Sequence, residues 1–158
     1  MEDILRPEGS NPGGGLKVEF TPLYNVVAFP ENVDVELTAA ITFKAGARWF
    51  VIEVIENSLD YNCEPKETDA GQIWDFKLSG VIRGDSLLLK RALSKMAIMN
   101  AFIVKYKENA GLTIVGGNLT ERLEFTYKKR SGNGMAGLRS YAFTFSAILT
   151  NEPPVYTF

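Results

Sequence analysis

The sequence predicts a mainly β, α+β domain in which antiparallel sheets form a sandwich or barrel with one packed helix. Three observations carry that expectation. Between residues 16 and 149 most apolar residues fall in short runs that alternate with polar ones, the pattern of half-buried strands. Proline, glycine and asparagine punctuate those runs at Pro22, Pro30, Asn109, Gly111 and Gly116-Gly117. Only residues 86–99 place apolar side chains at helical spacing.

The elements follow in order. Residues 1–15 contain Pro7, Gly9, Pro12, Gly13, Gly14 and Gly15, a composition that buries little, so this stretch is expected to be a flexible N-terminal arm ahead of a single β-rich domain, 16–158. Leu16, Val18 and Phe20 alternate with Lys17 and Glu19, and the run resumes over 23–29 after a break at Pro22. Residues 35–43 give the clearest alternation, with Val35, Leu37, Ala39, Ile41 and Phe43 on one face. Residues 48–55 are apolar on both faces and read as a central strand. Residues 57–70 are polar and read as a loop, and 72–82 return to strand alternation through Trp74, Phe76, Leu78 and Ile82.

Asp85 is placed to cap a helix whose stripe is Leu89, Ala92, Leu93 and Met96, with Asn100 to close it. A strand over 101–107, a hairpin turn at 108–111 and strands over 112–115, 121–127 and 138–149 follow, so about five strands precede the helix and four succeed it. Glu152-Pro153-Pro154 is expected to end the sheet.

Composition narrows the chemistry. A chain of 158 residues with 46% hydrophobic content can bury roughly two thirds of its unfolded surface without staples. The lone Cys63 excludes an intrachain disulfide, and with no histidine the Cys/His zinc sites and imidazole-based triads are excluded as well. Cys63 itself has no adjacent cation and reads as an unreactive thiol. The carboxylates Glu53, Glu56, Asp60, Glu64, Glu67 and Asp69 lack the alternating spacing of a calcium loop and read as a solvated face. Neither Gly116-Gly117 nor the glycines after Ser131 have the strand-to-helix context of a phosphate loop. No catalytic, cofactor-binding or metal-binding residue is therefore expected.

The net charge of −2 argues against a general nucleic-acid binder, and no run approaches the length of a membrane span. Residues 1–15 are acidic and glycine-rich where a signal peptide would be basic and then apolar, which predicts an intracellular origin. One local cluster stands out. Lys128, Lys129, Arg130 and Arg139 flank a loop containing Gly132 and Gly134, and nothing else in the sequence adds a comparable basic run. Such a finger keeps a β-edge soluble, or touches an acidic partner surface or a nucleic-acid backbone. Together with Gly13, Gly14 and Gly15 of the arm, these residues are the candidate subunit interface, since segments this polar gain order from a neighbour.

Several patterns in the second half form a recognisable series: Phe102-Ile103-Val104, the Asn109/Gly111 hairpin, Ile114 with Gly116, Leu123 with Phe125, a glycine loop, Phe143, Phe145 and Ser146, then Pro153, Pro154 and Tyr156. The series resembles small virion proteins of the tail and neck region of phages and prophages of Bacteroides-type bacteria, over about 85–156 and more weakly over 30–48. The long loop at 128–139 departs from that pattern. The resemblance implies a structural subunit of a tail or neck (tube, terminator or completion protein) that assembles with copies of itself into a ring or tube. Its partners would be other virion proteins, its location the virion assembled in the bacterial cytoplasm, and its contact with nucleic acid at most passive, in a tube lumen. No cofactor, catalysis or membrane is implied. The alternative is a β-barrel module that binds a small molecule in an aromatic interior.

Overall fold

A computed structural model describes residues 1–4, 17–107, 112–131 and 139–158. Eight strands precede the helix: β1 (Lys17–Pro22), β2 (Val26–Ala28), β3 (Asn32–Val33), β4 (Glu36–Leu37), β5 (Thr42–Phe43), β6 (Phe50–Glu53), β7 (Asp60–Thr68) and β8 (Gly71–Arg83). The helix α1 (Leu87–Met99) is followed by β9 (Phe102–Lys107), β10 (Thr113–Gly116), β11 (Glu124–Arg130) and β12 (Ser140–Leu149).

Two antiparallel four-stranded sheets carry the domain, ordered β10-β9-β1-β6 and β11-β12-β8-β7. Their facing sides meet in one aromatic core, where Phe20 and Phe102 of the first sheet touch Phe145 of the second at ring-centre distances of 6.2 and 5.8 Å. Backbone hydrogen bonds link the sheets at two corners, Ile55 N–H to the Val81 carbonyl (2.8 Å) and the reciprocal pair Phe102–Leu123 (3.1 and 2.9 Å). The sheets do not close into a barrel, and of the two expected arrangements the sandwich is the one observed.

The outer face of the first sheet is covered too. Ile103 and Val115 point away from the main core into a second cluster with Val26, Leu37, Ile41 and Tyr156, so the middle of this sheet is covered on both sides. Its cover is the segment expected as the clearest strand, 35–43, which is not one strand. Asp34 and Val35 take φ values of 51° and 65°, turning β3 back onto β4, and only Thr42–Phe43 pairs again, with β2. A positive φ is costly for a β-branched residue. Hydrogen bonds from the C-terminal segment hold it there: Val155 N–H donates to the Val35 carbonyl (2.8 Å) and Leu37 N–H to the Val155 carbonyl (3.0 Å). Of the five residues the alternation placed inward, Leu37 and Ile41 are buried and Phe43 is half-buried, while Val35 and Ala39 are exposed because the chain turns at Asp34 and Val35.

The segment expected as a loop contains β7, a nine-residue edge strand paired with β8 along its whole length. Most of its side chains are exposed, which is why hydropathy missed it; the ladder is made by backbone groups. Pro65 is tolerated there because an edge strand can spare a donor.

The helix forms where its periodicity places it, with a different cap. Ser86 Oγ accepts from Leu89 N–H at 3.1 Å, and Asn100 ends the helix in the left-handed conformation at φ 46°. Leu93 and Met96 are fully buried against the core, while Leu89 and Ala92 are partly covered. Asn100 also ties the helix end to the sheet, its Oδ1 accepting from Phe125 N–H at 2.6 Å.

The chain ends finish the first sheet. Glu152-Pro153-Pro154 ends β12 but not the sheet pairing: Val115 N–H donates to the Pro154 carbonyl (3.0 Å) and Tyr156 N–H to that of Thr113 (2.8 Å), covering the β10 edge. Ile4 covers the other edge, bridging Ile52 in parallel. The expectation of a central strand at 48–55 thus holds in one respect, for β6 is flanked by β1 on one side and Ile4 on the other.

Candidate subunit interface

The alternation of β11 divides the basic cluster. Arg130 lies in register with Ser140, which lies in register with Arg83, so Arg130, Lys128 and Arg83 share the outer face of the second sheet. Arg83 was not among the candidates, and only the β8–β12 register brings it there. Lys129 points to the opposite face and is engaged within the chain. Its ammonium lies 2.9 Å from Asp85 Oδ2, and the buried Tyr141 hydroxyl donates to Asp85 Oδ1 at 3.0 Å. Asp85, expected as the helix cap, instead braces the start of α1 to β11. The Lys129 hydrogen bond, then that from Tyr141, holds the Asp85 carboxyl below the usual carboxylate range. Burial, then the Asp85 contact, raises the Tyr141 phenol. Arg139 is exposed and its carbonyl accepts from Gly84 N–H at 2.9 Å. Gly132, Gly134, Gly13, Gly14 and Gly15 lie outside the described residues.

The expected N-terminal arm needs correction at its first residues. Asp3 meets the Arg48 guanidinium with both oxygens (3.1 and 2.7 Å) and accepts Val51 N–H at 2.9 Å, while Ile4 is buried. Composition over fifteen residues concealed this, because four ordered residues are outweighed by the prolines and glycines after them. Ile4 and Lys17 flank β6 on opposite sides, about 10 Å apart by strand spacing.

The Arg48 hydrogen bond holds Asp3 below the usual carboxylate range, as Lys129 does Asp85. A carboxylate with a depressed folded-state pKa contributes stability that is present above its unfolded value, near 4, and is lost as pH falls through the folded one. Acidification below about pH 4 is therefore expected to loosen the Met1–Ile4 attachment and the α1–β11 brace. Hydrogen exchange at Val51 and Leu89, followed from pH 7 down to 3, checks this; protection that stays constant would refute it. Asp85→Asn should remove the part of the acid dependence that belongs to the brace.

A further basic group comes from the helix. The brace at Asp85 and the Asn100–Phe125 bond hold α1 alongside β11, with Lys90, Arg91 and Lys95 exposed on its outer side. Lys128 and Arg130 lie on the adjacent strand, so this flank of the second sheet carries more exposed cations than the sequence cluster alone. Leu87, Leu88 and Ile98 are 62%, 70% and 83% exposed on the same helix, an unusual concentration of apolar surface among charges.

The opposite edge of the second sheet is acidic. Asp60, Glu64 and Glu67 on β7 and Asp69 in the turn after it are exposed, and Lys66 is occupied by Asp75 at 2.7 Å. No group of carboxylates and cysteine that could hold a metal occurs among the described residues. Cys63 is half-buried on β7, and burial raises its thiol pKa, favouring the neutral form. A small cleft of about 60 Å³ opens between Asn118, Glu121 and Pro153. Among the described residues no helix is long and apolar enough to cross a membrane.

Comparison of the chain with protein-family models, with curated proteins and with solved structures found no match.

Proposed function

We propose that this chain is a structural subunit of a phage tail or neck, building a ring or tube with copies of itself and joining other virion proteins, without a catalytic step or a cofactor. The observation that carries the reading is the contrast between the two sheets. The first is covered over its middle on both faces and, by Ile4 and Val155, at both edges. The second leaves its outer face and the β7 edge bare among the described residues, with cations gathered on one flank and carboxylates on the other. A monomer commonly blunts such an edge, and an assembly uses it. The likeness of 85–156 to small tail and neck proteins supplies the specific setting, the virion assembled in the bacterial cytoplasm.

The barrel reading loses the interior it needed, because Phe20, Phe102, Phe125 and Phe145 fill the space between the sheets. Light scattering and negative-stain microscopy of the purified chain across a range of concentrations test the proposal. Closed rings or short tubes are the expected result; a monomer at every concentration, even with the neighbouring virion proteins present, would overturn it.

A further inference from the structure

The two flanks of the second sheet are complementary in charge and in form. One is the helix α1 beside β11, presenting Lys90, Arg91 and Lys95 around exposed Leu88 and Ile98; none of these cations is in an ion pair among the described residues. The other is β7, which pairs with β8 alone and leaves its outer backbone groups uncovered among the described residues, with Asp60, Glu64, Glu67 and Asp69 along it. A helix is one of the elements that covers a bare strand edge. The flanks lie on opposite sides of one rigid sheet, three strand spacings or about 14 Å apart before the helix is added, so they cannot meet within one molecule.

We propose that the α1 flank of one copy docks on the β7 edge of a second copy. The inference rests on the assembly reading above and names the surfaces that would carry it. Leu88 and Ile98 would cover the edge, and Lys90, Arg91 and Lys95 would face the carboxylates. Because the two surfaces differ, the contact is heterologous: each copy keeps one free α1 flank and one free β7 edge until a ring closes. The attraction operates between exposed charges, so it weakens with salt, whose screening length is about 8 Å at physiological ionic strength.

Charge reversal tests the pairing. One variant carries Lys90→Glu, Arg91→Glu and Lys95→Glu; the other carries Asp60→Lys, Glu64→Lys, Glu67→Lys and Asp69→Lys. All seven side chains are exposed, and circular dichroism checks that each variant folds. Light scattering is expected to show each variant alone at monomer mass where the parent is assembled. An equimolar mixture, in which every α1 flank again finds an opposite charge, should regain the assembled mass. If the parent assembles and both variants do so equally well, or if the mixture is not restored, the α1–β7 contact is wrong while the assembly reading stands. If the parent stays monomeric throughout, the assembly reading fails, and this contact with it.

Discussion

Leu93→Asp is expected to unfold the domain or to cost at least about 3 kcal/mol, a large part of the roughly 5–15 kcal/mol that holds a typical domain folded. Leu93 has no exposed surface and belongs to the core cluster with Met96, Phe125 and Phe145. A carboxylate there has no described cation within the cluster to pair with, so it would be protonated or would force the helix off the sheet. Urea denaturation measures the loss, and Leu93→Met is the control, since a swap of similar volume costs less than about 1.5 kcal/mol. A Leu93→Asp protein as stable as the parent would remove α1 from the core.

Phe145→Ala is the second large effect, at about 3–5 kcal/mol. Its ring is fully buried and lies within 5.0 Å of the Phe125 ring centre, 5.8 Å of Phe102 and Phe143, and 6.2 Å of Phe20. It therefore joins both sheets, and truncation leaves a cavity whose walls belong to two rigid ladders. The surroundings cannot collapse into it without moving a strand. Phe158→Ala removes the same atoms from a residue 58% exposed and is expected to change the urea midpoint little. Equal effects at the two positions would contradict the packing described here.

The candidate interface was legible only in part. The cations at 128–130 are adjacent in sequence, so the cluster is visible without a structure. Its division is not: Lys129 is engaged by Asp85, forty-four residues away, and Arg83 joins Arg130 only through the register with β12. Lys90, Arg91 and Lys95 lie between the apolar positions of a periodic helix, but their position beside β11 depends on how that helix docks. The acidic run was read correctly as solvated and wrongly as a loop.

What the sequence by itself determined is which side chains leave water. The helix over 86–99 with its buried Leu93 and Met96, the strands at β8, β9 and β12, and the burial of Leu37 and Ile41 all follow from the spacing of apolar residues, because that spacing records the face turned inward. Only the tertiary structure decided which backbone groups pair. Val155 holds the turn at Asp34 and Val35, Ile4 finishes the edge of β6, and β8 supplies the ladder that makes polar β7 a strand. These bonds join peptide groups distant in sequence and alike in every residue. Local hydropathy carries no record of their partners, and the strand edges left over, where a neighbour could bind, are known only once the pairing is complete.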